Sequence, residues 1–383
     1  MQDIAQIREE IDRIDGAIID LFRQRMEVSD AVARYKLEHG LPVLDKSRER
    51  AKLHAVSEAA PPELSRYAAV LFGLLMEMSK ARQTSTLGVR SELFETVEAA
   101  RHATPELFPR DCLVACQGVE GAYSQLACDR AFRHPLITYH KSFAGVFRAV
   151  EEGEAAYGVL PLENSTAGTV SKVYDLMMEN CFYIVRTVRL KVDHNLMAKP
   201  GTRIEDVREI YSHEQAIAQC RGYLASPLLR NARVHVRPNT ALAAQEVAQS
   251  DRSDVAALCS RSCADLYGLV PLAERVQDQS SNFTRFACIS KNLEVYPGAD
   301  RTSLMMTVSH EPGSLYKILA RIYALDINLL KLESRPIPDR DFEFMFYFDL
   351  ECPVVAPEFA DLLNALDEIA EGYRYLGSYS EQL

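Results

Sequence analysis

Residues 3–39, DIAQIREEIDRIDGAIIDLFRQRMEVSDAVARYKLEH, run without a proline, and Ile4, Ile7, Ile11, Ile14, Ile18, Leu21, Phe22, Val28 and Val32 recur mostly at spacings of three and four. That rhythm lays one apolar stripe along a single long amphipathic helix. At about 1.5 Å per residue the helix extends roughly 55 Å, longer than a compact module of about 85 residues can cover by itself. A second copy of the chain is therefore expected against it. Pro42 is expected to break this helix, a second begins near Asp45, Pro61 and Pro62 interrupt again, and a third occupies about residues 63–83.

Beyond these helices the 383-residue chain changes character twice. Residues 87–110 have weak periodicity, two prolines and mixed charge, which suits a linker with one short helix near 92–101. From 111 to 292, apolar runs at 112–116, 157–160, 182–188 and 255–259 alternate with helical patterns, the mark of an α/β region. Residues 301–383 read strand, helix, strand, strand, helix, strand, the βαββαβ order of a ferredoxin-like unit. The expected architecture is multidomain, with an all-α module over residues 1–86 leading these three segments.

A content of 48% hydrophobic and 25% charged residues is that of a globular chain, and its length calls for two or three cores. The net charge of −11 argues against a nucleic-acid partner, so an anionic ligand would need a local cluster of Arg and Lys. No run approaches the roughly 20 apolar residues of a membrane helix, and the charged start MQDIAQIREE is unlike a signal peptide. A cytoplasmic protein with no membrane partner is expected. The nine cysteines are scattered, and the pairs Cys112/Cys116 and Cys259/Cys263 lack the two-residue gap of zinc knuckles. Reduced thiols and no metal are expected.

Polar residues interrupt the apolar faces of the helical module. Projected at about 100° per residue, Arg25 and Lys36 fall within roughly 20° of the centre of the first helix's apolar face, and Arg8 at its edge. A cation there needs an anion, from the protein or from a ligand. On the third helix Ser79 and Gln83 share a face with Ala68, Phe72, Leu75 and Met76, while Asp45, Arg48 and Glu49 have i, i+3, i+4 spacing on the second. Singly, these read as a buried ion pair or a solvated salt-bridge triplet. Together, in this order on three helices, the eight resemble the all-helical chorismate mutase family. The resemblance implies rearrangement of chorismate to prephenate, a pericyclic reaction that needs no cofactor. Arg8 of the partner subunit, with Arg25 and Arg48, would hold carboxylates, assisted by Ser79. Lys36 and Gln83 would donate to the breaking ether bond, and Asp45 and Glu49 would orient the ring hydroxyl.

In the α/β region, GVEGAYS at 118–124 opens a helix after a strand. It reads as a tight turn or a phosphate loop, although it lacks the spacing of G-x-G-x-x-G and a Walker lysine. PLENSTAG at 161–168, NFTRF at 282–286 and Tyr211-Ser212-His213 place further polar groups near strand ends, where α/β folds build substrate sites. The set resembles prephenate dehydratase over about residues 112–290, a two-lobed fold similar to periplasmic binding proteins. That resemblance implies an essential Thr284, assisting departure of the ring hydroxyl as carboxylate is lost. Asn164, Ser165 and Arg285 would line the cleft, with Ser212 and His213 nearby, and no metal or cofactor is called for. Gln125 stands where many relatives would carry histidine.

In the last segment Gly313-Ser314-Leu315 opens a helix, and residues 328–336 resemble the phenylalanine-binding ACT domain of these dehydratases. Gly313, Leu315, Asn328, Leu329, Glu333 and Ser334 become candidate contacts for the effector, although Gly-Ser-Leu-Tyr departs from a commoner Gly-Ala-Leu-like run. The combined resemblance implies a bifunctional, at least dimeric enzyme with chorismate and prephenate as substrates and phenylalanine as effector. A mutase fused to a prephenate dehydrogenase would need a dinucleotide fingerprint, which is missing. A non-catalytic amino-acid sensor, with the helices serving dimerisation, is the alternative from another class.

Overall fold

The computed structural model describes residues 3–41, 45–87, 90–337, 343–370 and 372–383. Pro42, the expected helix breaker, lies outside them. By Cα proximity the chain forms two compact units, residues 1–99 with 304–374, and residues 100–303 with 375–383.

The long helix is α1 (Ile4–Glu38). It stops where Gly40 takes a left-handed φ of +62° and Leu41 N–H reaches back to the Lys36 carbonyl at 2.9 Å, a glycine C-cap that precedes the proline. Met26, Ser29 and Ala33 are its buried residues, whereas Ile4, Ile7, Ile11, Ile14 and Ile18 keep 39–59% of their surface exposed. Asp45 caps α2 (Lys46–Ala59), its carboxylate accepting from Arg48 N–H at 3.0 Å. It therefore sits at the helix end, before the face shared by Arg48 and Glu49. Helix α3 (Ser65–Leu87) continues past the expected end at residue 83 and packs against both α1 and α2. The expected linker carries α4 (Glu92–Ala103), which buries Phe94 and Val97 and sets the Phe94 ring 6.1 Å from that of Phe359.

The second unit is two-lobed. Its first lobe holds β1 (Asp111–Gln117), α5 (Tyr123–Ala131), β2 (His134–His140), α6 (Phe143–Glu151), β3 (Tyr157–Asn164), β4 (Gly168–Thr169), α7 (Ser171–Glu179) and β5 (Tyr183–Lys191). The second holds β6 (Asn195–Ala198), β7 (Glu209–Ser212), α8 (Glu214–Gln219), α9 (Arg221–Leu224), β8 (Arg233–Val236), α10 (Thr240–Gln249), β9 (Val255–Cys259), α11 (Ser262–Tyr267) and β10 (Val270–Ala273). The chain then returns to the first lobe as β11 (Phe283–Ser290). Strands β1, β2 and β3 are parallel, and β11 lies antiparallel between β3 and β5. The second sheet runs β10-β6-β9-β7-β8. Only two segments cross between the lobes, 192–194 and 274–282, and Val276 N–H to the His194 carbonyl at 2.8 Å ties them together. All nine cysteines are free thiols, and all but Cys112 and Cys181 are buried.

The last segment folds as β12 (Arg301–Thr307), α12 (Ser314–Ala324), β13 (Asn328–Pro336), β14 (Phe344–Glu351), α13 (Pro357–Ile369) and β15 (Gly372–Tyr379), followed by β16 (Glu381–Gln382), which joins β5. The sheet order β13-β14-β12-β15 with this connectivity is the expected ferredoxin-like arrangement. Helices α12 and α13 pack on each other and on α3.

Candidate active sites

In the helical module the polar residues converge on the inner face of α3. Arg25 Nη1 donates to the Leu75 carbonyl at 2.7 Å and to Ser79 Oγ, and Ser79 Oγ donates to the same carbonyl at 2.9 Å. These acceptors are neutral, and partial burial pulls the Arg25 pKa down. A guanidinium so placed is short of negative charge. Gln83, 7% exposed, donates from Nε2 to Ser29 Oγ at 3.0 Å, and its Oε1 has no partner among the described residues. Turning that amide by 180° would free Nε2 for a ligand and let Oε1 accept from Ser29, whose hydroxyl proton would leave the Ser79 carbonyl 3.4 Å away. Asp45 is held below its ordinary pKa first by the Arg48 N–H, then by Ser47, with Lys36 adding attraction. Glu49 pairs with Lys80 at 2.9 Å, a partner that periodicity did not single out. Arg48 is exposed, and Arg8 lies in the exposed half of α1, about 26 Å along the axis from Arg25 at 1.5 Å per residue. The chain's own fold thus gathers Arg25, Ser79 and Gln83, with Lys36 and Asp45 close in charge, and leaves Arg8 apart.

Between the lobes, register places Asn164 at the end of β3 opposite Thr284 on β11. Asn164 Oδ1 accepts from the backbone N–H groups of Thr166 and Ala167 at 3.1 and 2.9 Å. Backbone amides can only donate, so the orientation of this side chain is fixed, and Nδ2 faces Thr284 Oγ1 at 2.9 Å and Asn282 Oδ1 at 2.8 Å. The hydrogen-bond directions are fixed further outward as well. Asn282 Nδ2 donates to Gln219 Oε1 at 3.0 Å, and His194 Nε2 lies 2.9 Å from that oxygen, which makes Nε2 the protonated nitrogen. Burial lowers the His194 pKa, keeping the ring neutral. Ser165 clamps the crossing segment, donating to the Ser281 carbonyl and accepting from Phe283 N–H, both at 2.9 Å.

Beside this network lies a cavity of about 330 Å³ lined by Thr166, Gln215, Gln219, Gln277, Asp278 and Asn282 among others. Arg285 is 7% exposed and paired with Glu163 at 2.8 Å. Ser212 is fully buried and donates to the Leu258 carbonyl, so it holds strands β7 and β9 together and does not face the cavity. His213 caps α8 through Gln215 N–H. The Gly118–Ser124 segment proves to be a packing turn. A Cβ at Gly121 (φ +88°) would press on Leu266 and Cys263, and Gln125 accepts from Gly121 N–H. Of the network, Asn282 and Thr166 lie in the quoted motifs, but His194 and Gln219 carry no local sequence signal.

In the last module a cavity of about 220 Å³ is lined by Ser309, His310, Gly313, Ser314, Leu315 and Phe346, among others. Gly313, at φ +88°, is the residue that precedes α12. Ser334 lies opposite Phe346 in the β13/β14 register and Glu333 opposite Tyr347, whereas Leu329 and Asn328 are at the far end of the strand, Asn328 bonded to Glu351.

Two family models match the chain, chorismate mutase type II over residues 7–84 and prephenate dehydratase over residues 114–294. The bifunctional chorismate mutase/prephenate dehydratase of Escherichia coli K12 is 30% identical over 98% of this chain and 96% of its own length. A prephenate dehydratase from Arthrobacter aurescens, solved in complex with L-Phe, is 28% identical with a TM-score of 0.64 over 70% of this chain and 90% of its own. A structure described as a quorum-quenching acylase, GqqA, is 34% identical with the same TM-score over 70% of this chain and 97% of its own.

Proposed function

We infer the activity from one premise: the chain belongs to the family of bifunctional chorismate mutase/prephenate dehydratases. It rearranges chorismate to prephenate and converts prephenate to phenylpyruvate. The observation that carries this reading is the presence of both polar constellations on one chain, aligned nearly end to end with the Escherichia coli enzyme. We assign the mutase to residues 1–86, a linker to 87–110, the dehydratase to 111–292 and a phenylalanine-sensing ACT domain to 301–383.

In the mutase the protein supplies charge and shape. Arg25, bonded only to neutral acceptors in its described hydrogen bonds, meets one substrate carboxylate, with Ser79 fixing its plane. Arg48 and Arg8 of the partner subunit hold the remaining charge. Lys36 and Gln83 face the ether oxygen, whose negative charge grows as its bond breaks, so their donors bind the transition state better than the substrate. Asp45 and Glu49 take the ring hydroxyl. The exposed isoleucines of α1 support a homodimer, which brings the partner's Arg8 to the site.

In the dehydratase, electrons from the breaking bond to carboxylate aromatise the ring and expel the hydroxyl. Thr284 donates its proton to that hydroxyl, which leaves as water beside carbon dioxide, and solvent restores the proton. Asn164 occupies the acceptor side of Thr284 Oγ1, which aims the hydroxyl proton away from the network. An acylase would need a nucleophile activated by a base. The two nearby histidines bond Gln219 and the Gln215 backbone, and neither is bonded to a hydroxyl.

Phenylalanine, present in the Arthrobacter aurescens structure, is assigned to the 220 Å³ cavity at Gly313 and Leu315. Glu333, Ser334, Asn328 and Leu329 of β13 do not line that cavity, Asn328 and Leu329 being at the far end of the strand. Among the described residues no helix is long and apolar enough to cross a membrane, and we assign the protein to the cytoplasm. The test supplies purified protein with chorismate alone and follows prephenate and phenylpyruvate, with and without phenylalanine. Phenylpyruvate that declines with phenylalanine supports the whole reading. Prephenate alone removes the dehydratase, and binding of phenylalanine without turnover supports the sensor.

A further inference from the structure

Four charged side chains run in succession from α2 through α3 to α12. Lys80 Nζ lies 2.9 Å from Glu49 Oε1 and 2.7 Å from Glu77 Oε1. The Glu77 backbone carbonyl accepts from Arg321 Nη1 at 3.0 Å, and its Oε2 stands 3.6 Å from Arg321 Nη2. The side chains of Arg321, Lys80 and Glu77 are 2%, 8% and 10% exposed, whereas Glu49 retains 26%. Two cations balance two carboxylates, and without that balance charges this deeply desolvated would cost several kcal/mol each.

Stability does not account for the arrangement, because apolar residues of equal volume commonly replace a buried ion pair at no loss. Geometry does account for it. A Lys or Glu side chain loses more rotamer freedom than most when held still. Glu77, one turn before Lys80 on the same helix, fixes the ammonium, and Arg321 fixes Glu77 from α12. The chain of charges ends on Glu49, its most water-accessible member. A bare carboxylate there would repel a dianionic substrate, and Lys80 offsets that charge.

We propose that Lys80, clamped by Glu77 and Arg321, is a positioning residue for the mutase reaction, holding the Glu49 carboxylate where the ring hydroxyl of chorismate meets it. The inference rests on the role given to Glu49 above. It assigns to the last module, through Arg321, a part in the mutase site that is separate from any effector.

The test uses the full chain and initial rates of prephenate formation from chorismate. Phenylpyruvate formation from added prephenate and the melting curve serve as controls for folding. Lys80→Met is expected to lower mutase kcat/KM on the order of ten- to a hundredfold, the scale of a misplaced group, with dehydratase turnover unchanged. Lys80→Arg restores most of it. The pair Glu77→Gln/Arg321→Met, which removes a cation and a carboxylate together, lowers it about tenfold although Lys80 is present. Adding Lys80→Met to Glu49→Gln brings no further loss, as expected of groups acting as one. If Lys80→Met does not fold, Lys80→Met/Glu77→Gln avoids the bare buried carboxylate and is judged by the same criterion. Wild-type mutase activity in the Lys80 variants beside a damaged Glu49→Gln overturns the proposal, as do additive losses from the two sites. Wild-type activity in the Glu77/Arg321 pair removes Arg321 from it. Full activity in Glu49→Gln instead overturns the reading of Glu49 itself.

Discussion

Asn164 owes its orientation to two backbone amides. Because Thr166 and Ala167 can only donate to its Oδ1, its Nδ2 must face Thr284, and the same constraint reaches Asn282, Gln219 and His194 in turn. Thr284→Ala removes the hydroxyl at the head of this series. Dehydratase kcat should fall on the order of a hundredfold or more, the usual worth of a positioned acid, and prephenate should accumulate from chorismate at an unchanged mutase rate. Thr284→Ser should keep most of the activity, and chromatography of the two products checks both variants. His194 makes a second expectation. Burial holds its folded-state pKa below the ordinary 6.5, so the unfolded chain takes up a proton first as pH falls. Its contribution to stability is whole above 6.5 and is lost as pH falls through the lowered native value. His213, lowered by burial as well, acts in the same direction. The melting temperature should therefore drop with pH across that window, and less steeply in His194→Gln, which keeps a donor for Gln219.

The elements show what periodicity carries and what it does not. Helix α1 was legible because its stripe is a local property of 3.6 residues per turn, and the α/β alternation and the βαββαβ order were legible for the same reason. Asp45 as a helix cap was equally available to sequence reasoning, being an acidic residue directly before a helical run. The extension of α3 to Leu87 and the burial of α4 were not, since tertiary packing decides helix ends and the docking of short helices. The motifs NFTRF and PLENSTAG could be picked out as polar strand ends, but only the β3/β11 register shows that Thr284 and Asn164 face each other. Lys80, Gln219 and His194 remained hidden because each acquires its role from a residue more than twenty positions away in the chain or on another element. Another such dependence yields a stability prediction. Gly377 in β15 has φ +136°, and a Cβ there would overlap the Ile184 carbonyl of β5. Gly377→Ala should destabilise the protein by about 1–3 kcal/mol, through strain and overpacking together. Denaturant unfolding measures it, and a neutral result would mean that β15 shifts freely against β5.

At the scale of the molecule, the proposed mutase site draws on two chains. The face of α1 that carries Ile4, Ile7, Ile11, Ile14 and Ile18 is uncovered within the chain, and Arg8 lies on that same half of the helix, far from Arg25. If a second copy covers the stripe, each site draws Arg8 from one chain and Lys36 from the other. Homodimers of Arg8→Ala and of Lys36→Ala should both be nearly inactive as mutases while retaining dehydratase turnover, because both residues belong to the first compact unit and the dehydratase residues to the second. Refolding the two variants together as an equal mixture should then recover activity that neither has alone. Random pairing makes half of the dimers mixed, and each mixed dimer has one intact site of two, so about a quarter of wild-type mutase activity is expected. If each chain instead built its site alone, an Arg8→Ala chain would stay as damaged in a mixed dimer as in its own. The mixture would then show only the average of the two variants, and the covered stripe would join two self-sufficient sites.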